Sequence, residues 1–167
     1  SYEFRGYKAD IYEGGNRVPF LARWPQAIKA GSRSDEIICL TDLLATSAAM
    51  TGQDLPGNAG EDSYNILSAL LGQDSEQPIR EATISQSVTG GFSVRQGRWK
   101  LELMPSSGGY YRMRPDQVKE KGLPSVQLYD LEADIKESNN VLGDHPEVVA
   151  HLAGLLEKYR TTGRSNF

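Results

Sequence analysis

Between Ala82 and Leu103 the chain alternates apolar and polar residues in three short runs, separated by Gly90-Gly91 and Gly97-Arg98. Period-two alternation broken by tight turns leaves little freedom: each run is a strand, and consecutive strands pair antiparallel in a meander. In Ala82–Val88, Thr83, Ser85 and Ser87 fall on one face, with Ile84 and Val88 on the other. Phe92–Gln96 and Trp99–Leu103 repeat the pattern, and Val126–Leu131 supplies a fourth strand. Asp144-His145-Pro146-Glu147 opens a helix, because proline's missing N–H is harmless in a first turn. Val148, Val149, Leu152, Leu155, Leu156 and Tyr159 then keep a 3.6 period, which gives that helix one apolar face. Residues 78–167 are therefore expected to form a small four-stranded antiparallel sheet packed by a C-terminal helix.

Residues 1–77 have a different texture. Residues 1–17 are polar and glycine-rich and read as loop. Val18–Trp24 is an apolar run with Pro19 near its start, read as a buried strand, and Glu36–Leu40 is a second short apolar run. Thr41-Asp42 has the chemistry of a helix start and Gly52 ends that helix; Asn65–Leu71 is a short helix. This part reads as the C-terminal edge of a larger α/β domain, so the class is α/β overall and α+β within this chain. A strand at Val18–Trp24 would lack neighbours here, and is expected to gain one from another chain or to stand at an exposed edge and promote homo-oligomers.

Composition removes several classes. Eighteen Lys and Arg stand against 22 Asp and Glu, for a net charge of −4, which excludes a generic binder of nucleic acid or anionic membrane. The single cysteine, Cys39, excludes an internal disulfide framework, and His145 and His151 are six apart, the wrong spacing for paired ligands on one helix face. No apolar run is long enough to span a membrane. One cysteine fits the cytosol and equally an exported bacterial protein.

The segment that carries chemistry is Gly6-Tyr7-Lys8-Ala9-Asp10-Ile11-Tyr12-Glu13-Gly14-Gly15-Asn16-Arg17-Val18-Pro19. It sets a cation and a carboxylate around a glycine turn. Gly14-Gly15 permits close backbone approach, Lys8 offers three donors suited to a tetrahedral oxyanion, and Arg17 can pair with Glu13 across the turn. The residues alone leave two readings open: an anion-contacting Lys8, or a surface turn with a solvated Lys8 and a weak ion pair. Arg95, Arg98 and Lys100 form a basic cluster on the hairpin, read as a solvated strand face, the alternative being contact with an anionic substrate. The stretch 105–124 interrupts the strand pattern with Tyr110-Tyr111-Arg112-Met113-Arg114, a mix suited to anionic sugars or a partner chain, or else a disordered surface loop. Trp99 is read as core.

Four stretches together resemble one family. G-x-K-x-x-x-x-E-G-G-x-R-V-P with Trp24-Pro25, Thr41-Asp42-Leu43-Leu44-Ala45-Thr46 with Thr51-Gly52, Val94-Arg95-Gln96-Gly97-Arg98-Trp99-Lys100-Leu101, and Leu128-Tyr129-Asp130-Leu131 with Asp134, Glu137 and Asn140 follow in the order found in type I, formylglycine-dependent sulfatases. These arylsulfatase-like enzymes belong to the alkaline-phosphatase-like superfamily. Ile135 stands where the family usually has proline and Val141 where it has leucine. The resemblance runs from residue 6 to about 160.

The resemblance implies that residues 1–77 are the C-terminal edge of the catalytic α/β domain and residues 78–167 the C-terminal subdomain. It implies hydrolysis of aryl or carbohydrate sulfate esters by the complete polypeptide. Lys8 would be the catalytic and substrate-binding residue, touching a sulfate oxygen or the departing ester oxygen, with Glu13, Gly14, Gly15 and Arg17 supporting its turn. Calcium and formylglycine are implied for the parent enzyme, but their motifs are not in this chain. Cys39 lacks the Pro or Ala two residues on and the Arg four residues on of the family's nucleophile motif, so it reads as a core thiol. The chain is thus expected to be the C-terminal portion of a sulfatase, beginning just after the last calcium ligands, with the N-terminal part of the same sulfatase as partner, a periplasmic or secreted location, and no activity alone. Two alternatives are an inert structural or carbohydrate-binding module, and a fragment of a related phosphonate or phosphate ester hydrolase.

Overall fold

Four strands, β1 (Thr83–Gln86), β2 (Phe92–Gln96), β3 (Trp99–Glu102) and β4 (Gln127–Asp130), form one sheet in the order β1-β2-β3-β4. The structure, a computed structural model, describes residues 3–73 and 77–166. β2 and β3 pair antiparallel with Val94 opposite Leu101, and β3 and β4 with Leu101 opposite Leu128. The meander expected from the alternation is present, because Gly90 and Gly97 take the positive φ that its tight turns demand.

The pleat sorts the strand residues into two faces. Val94, Leu101 and Leu128 share one face and are fully buried; each such side chain contributes about 1.5–3 kcal/mol of burial. Helix α5 (Pro146–Thr162) buries Leu152, Leu155 and Leu156. Its His151 pairs with Gln96 at 2.8 Å, and His145 stacks on Trp99 at 4.7 Å, so the helix lies against that face. The other face carries Arg95, Lys100, Glu102, Gln127 and Tyr129. It is buried too, because the segment leading to Glu13 lies over it: Ile11, Tyr12, Tyr129 and Leu131 form one apolar cluster.

Two compact units divide the chain: residues 1–18 with 84–158, and residues 19–83 with 159–167. The link between textures expected at 73–80 falls partly on residues 74–76, outside the described residues. In the first unit, residues 13–16 form a one-turn helix α1 (Glu13–Asn16) in place of the expected loop, and α4 (Pro115–Glu120) ends the 105–124 interruption. Pro115 opens α4 at the position where a proline costs no hydrogen bond.

The second unit holds helices and irregular chain. A 3₁₀ turn (Leu40–Asp42) leads into α2 (Leu43–Met50), and α3 spans Leu67–Leu70. Val18–Trp24 is not a strand, and neither is the run that begins at Glu36, which stays irregular through Cys39 and enters the 3₁₀ turn at Leu40. Pro19 and Pro25 remove two ladder donors from an eight-residue stretch, and no described strand lies beside it. The edge expected to drive self-association is therefore not formed. Leu21 is 95% exposed, and Leu43, Leu44 and Met50 leave one side of α2 about half exposed.

Asp42 organises this unit, although not as the helix cap its position suggests. Its side chain is fully buried and makes no cap bond to α2. One carboxylate oxygen accepts from the Cys39 N–H at 2.7 Å, and the other accepts from the Tyr64 N–H at 3.0 Å and from the Arg80 guanidinium. Arg80 also lies over the Tyr64 ring, and Thr46 links the Asp42 carbonyl to the Ile66 N–H. Removing one member of a buried pair strands the other without a partner. Asp42→Ala is expected to destabilise the chain by about 3–5 kcal/mol, read as a shift of the urea midpoint, whereas an exposed control such as Asp116→Ala should stay within about 0.5 kcal/mol.

Candidate functional site

The glycine-rich segment folds back on itself. The Gly14 N–H donates to the Arg5 carbonyl at 2.7 Å, and the Asp10 N–H to the Tyr7 carbonyl at 2.9 Å. A Cβ on Gly14 would stand 2.3 Å from the Gly6 carbonyl oxygen, and one on Gly15 2.2 Å from that of Asp10. Both positions therefore require glycine, because backbone occupies the space of a side chain. The Tyr7–Asp10 turn projects from this fold. Ala9 has φ +87°, a strained value for a residue with a Cβ, and its carbonyl is held by the Val88 N–H at 3.1 Å. Lys8 sits at the tip, exposed, and its ammonium has no hydrogen-bond or ion-pair partner among the described residues.

Arg5 and Arg17 are exposed too, but each is paired, and Asp10 and Glu13 are buried. Arg5 donates to the Glu137 carbonyl at 2.6 Å and to the Tyr129 hydroxyl at 3.1 Å, and lies over the Tyr12 ring. Arg17 donates to Glu13 at 2.6 Å, and Arg95 reaches the same carboxylate oxygen at 3.2 Å. Glu13 and Arg17 thus pair within one helical turn, and Arg17 also covers the Phe4 ring.

At the centre lies Lys100, 1% exposed. Its ammonium donates to Glu137 at 2.7 Å and to the Ile11 carbonyl at 2.9 Å, and lies 3.1 Å from Glu13 and 3.4 Å from Glu102. Glu137 closes the ring, its second oxygen accepting from the Glu13 N–H at 2.8 Å. Glu137 itself has φ +52°, a backbone state that persists because both its carboxylate and its carbonyl are held. Gln127 binds the Glu102 carboxyl at 3.1 Å and receives the hydroxyls of Tyr12 and Tyr129.

The titration of this cluster follows from its geometry. Burial alone would discharge Lys100, but the carboxylates of Glu13, Glu102 and Glu137 outweigh it and hold the ammonium above its ordinary pKa. Burial works against the Glu13 carboxylate as well; Lys100, Arg17 and Arg95 overcome it and keep Glu13 below the usual range. Glu102 is pushed up to about 8 by burial, which the Lys100 ammonium offsets only in part and the neighbouring Glu137 reinforces. Burial also raises the Tyr12 phenol to about 12.

The structure brings Glu13, Gly14, Gly15 and Arg17 together at the base of the turn and sets Lys8 at its tip. It separates the three hairpin cations expected on one solvated face. Lys100 is fully buried, Arg95 is half-buried on Glu13, and Arg98 pairs with Asp130 and Glu132 on the outside. The correction has a physical cause: the strand pattern leaves that face open to water, and the N-terminal segment covers it. Sequence reasoning does not find Lys100, Glu102 and Glu137 as partners; their one signal is that each of Glu13, Lys100 and Glu137 falls in a different recognised motif. Cys39 precedes the 3₁₀ turn rather than ending a strand; its thiol is raised by burial and accepts from Arg80 at 3.3 Å. The 105–124 stretch places Tyr111 edge-on to Tyr7, beside a cavity of about 340 Å³ lined by Arg5, Tyr12, Gln127, Tyr129 and Asn140. Among the described residues no group of three or more His, Cys, Asp and Glu could hold a metal ion, and no helix is long and apolar enough to cross a membrane.

Comparison with known proteins gives relatives over nearly the whole chain. It is 36% identical over 159 residues to an N-acetylgalactosamine-6-O-sulfatase of Bacteroides thetaiotaomicron, a match covering 95% of this chain and 30% of that protein. It is 33% identical over 161 residues to human arylsulfatase A, covering 89% of this chain and 31% of the relative. The chain thus spans about a third of the length of the relatives it matches. A solved structure from work on glycosaminoglycan metabolism in Bacteroides thetaiotaomicron superposes with a TM-score of 0.79 at 34% identity, covering 96% of this chain and 32% of that one. The fold is shared with Ps i-CgsB, solved in complex with a neocarrahexaose, at a TM-score of 0.69 and 24% identity, covering 95% of this chain and 32% of that one. No family model matches the chain.

The buried carboxyl of Glu102 gives a signed prediction. A folded-state pKa near 8, against 4.5 for the free group, means that the folded chain holds a proton the unfolded chain has lost. Stability attached to that proton is present at low pH and is lost as pH rises from about 4.5 to about 8. Glu102→Gln cannot ionise and keeps a donor toward Glu137. Its melting temperature is expected to match wild type near pH 5 and to exceed it near pH 8; a difference that does not change with pH would contradict this assignment.

Proposed function

The chain belongs to the sulfatase family, matching the C-terminal part of its members, and we propose that it supplies a complete polypeptide that hydrolyses sulfate esters with one sulfate-contacting cation, Lys8, and with its C-terminal subdomain. The observation that carries this reading is the division of labour among the cations of residues 5–17. All three are exposed, but Arg5 and Arg17 are each held by partners within the chain, whereas Lys8 is unpaired, among the described residues, at the tip of a turn fixed by two obligatory glycines. An ammonium held in this way can meet a tetrahedral oxyanion with any of three donors. Its charge would stabilise negative charge developing on a sulfuryl oxygen or on the departing ester oxygen, at little cost in reorganisation. The strain at Ala9, next to Lys8, fits a backbone held for a task rather than for stability.

The nucleophile and metal of such a reaction belong elsewhere in the polypeptide. Cys39 is held by Arg80, its thiol raised by burial, and it lacks the surrounding motif. The carboxylates nearest to one another, Glu13, Glu102 and Glu137, already surround the Lys100 ammonium and leave no place for calcium. No step through calcium or formylglycine is therefore assigned to these residues. The exposed apolar residues Leu21, Leu43, Leu44 and Met50 fit packing against the N-terminal part of the same sulfatase. The substrate class is a sulfated sugar or a small aryl sulfate.

In the complete polypeptide, Lys8→Ala is expected to lower kcat/KM on an aryl sulfate by at least about tenfold without changing the melting temperature, since Lys8 holds nothing in place. Unchanged kcat/KM would overturn the reading. The 167-residue chain assayed alone, with calcium, is expected to show no turnover.

A further inference from the structure

A buried lysine needs explaining, because an apolar side chain of similar volume often serves stability as well or better. Lys100 is enclosed on a sheet face, and its ammonium reaches two things an apolar residue could not hold. One is the Ile11 carbonyl, three residues beyond Lys8, at 2.9 Å. The other is Glu137, at 2.7 Å, whose second oxygen fixes the Glu13 N–H at the start of α1. Both contacts fall on the backbone that follows the Tyr7–Asp10 turn, between its last residue and the obligatory glycines. On the other side of the turn, Arg5 is bound to the Glu137 carbonyl at 2.6 Å. The chain on either side of Lys8 is thus tied to the same Lys100–Glu137 pair.

We propose that Lys100 is a positioning residue for Lys8: through the Ile11 carbonyl and Glu137 it fixes the backbone that carries the turn, and so sets where the Lys8 ammonium points. This rests on the sulfate-contacting role proposed for Lys8. It accounts for a feature that role leaves unexplained, namely that Glu13, Lys100 and Glu137, from segments far apart in the chain, meet at one buried point. Lys100 touches no substrate in this arrangement and acts only through the loop.

A double-mutant cycle in the complete polypeptide tests it, with an aryl sulfate as probe and circular dichroism melts to establish folding. Lys100→Met is expected to lower kcat at least about tenfold with KM little changed. Added to Lys8→Ala, it should cost less than about twofold more, because a misplaced cation that is already absent cannot be misplaced further. Should Lys100→Met fail to fold, the pair Lys100→Met with Glu137→Gln removes one charge of each sign and carries the same cycle. Three results overturn the proposal: an unchanged kcat in a folded Lys100 variant, a full additional loss on the Lys8→Ala background, or failure of both Lys100 variants to fold while Lys8→Ala folds. Full activity of Lys8→Ala alone instead removes the sulfate-contact reading, and is seen in that arm without reference to Lys100.

Discussion

One ammonium in a closed space makes this half of the molecule what it is. Lys100 sits among three carboxyl groups and a backbone carbonyl: Glu13 and Ile11 come from the N-terminal segment, Glu102 from its own strand and Glu137 from beyond β4. Taking a lysine out of water costs several kcal/mol unless its charge and donors are all met. That condition is met when Glu13 and Glu137 supply the opposing charge and the Ile11 carbonyl a further acceptor. The network therefore disfavours alternative packings of residues 5–17 over the sheet, since any shift leaves an uncompensated charge. The apolar face beneath α5 supplies burial energy; the polar face supplies registration.

The sequence made the sheet and α5 legible because their information is local. Alternation, a glycine at each turn and a 3.6 period are all read within a dozen residues, and the strands fall within a residue or two of where these place them. The same alternation put Lys100 and Glu102 on one face. What it could not report is what lies over that face, which depends on residues some ninety positions earlier. Polar residues on a strand face are ordinarily solvated, and here the rule failed through a non-local contact. Val18–Trp24 failed for the converse reason: its composition suits a strand, but a strand exists only with a partner to accept its hydrogen bonds.

Asp42 shows the same effect at smaller scale. A short acidic residue before a helix ordinarily accepts from that helix's own first N–H groups. Here Tyr64 and Arg80 offer better donors, and the carboxylate turns away from α2. In both units a buried charged residue joins distant segments. The glycine segment was legible in part, because Gly14-Gly15 announces close backbone approach whatever approaches it. The Arg17–Glu13 pair was legible as well, whereas the binding of Arg5 to the Glu137 carbonyl and the Tyr129 hydroxyl was not, because those partners lie more than a hundred residues away.

The charges around the turn do not cancel. Four cations, Arg5, Arg17, Arg95 and Lys100, stand against the carboxylates of Asp10, Glu13 and Glu137, while Glu102 keeps its proton through neutral pH. The scaffold beneath Lys8 therefore carries an excess of positive charge within a chain whose net charge is −4. Fixed positive charge close to an exposed ammonium adds to its attraction for an anion, and the buried Lys100 charge among it is screened less than a surface ion. Ionisation of Glu102 near pH 8 would bring the two signs into balance and remove that excess. The carboxyl kept neutral on β3 thus does more than tolerate burial: by withholding one negative charge, it leaves the support of the turn cationic where an oxyanion would approach.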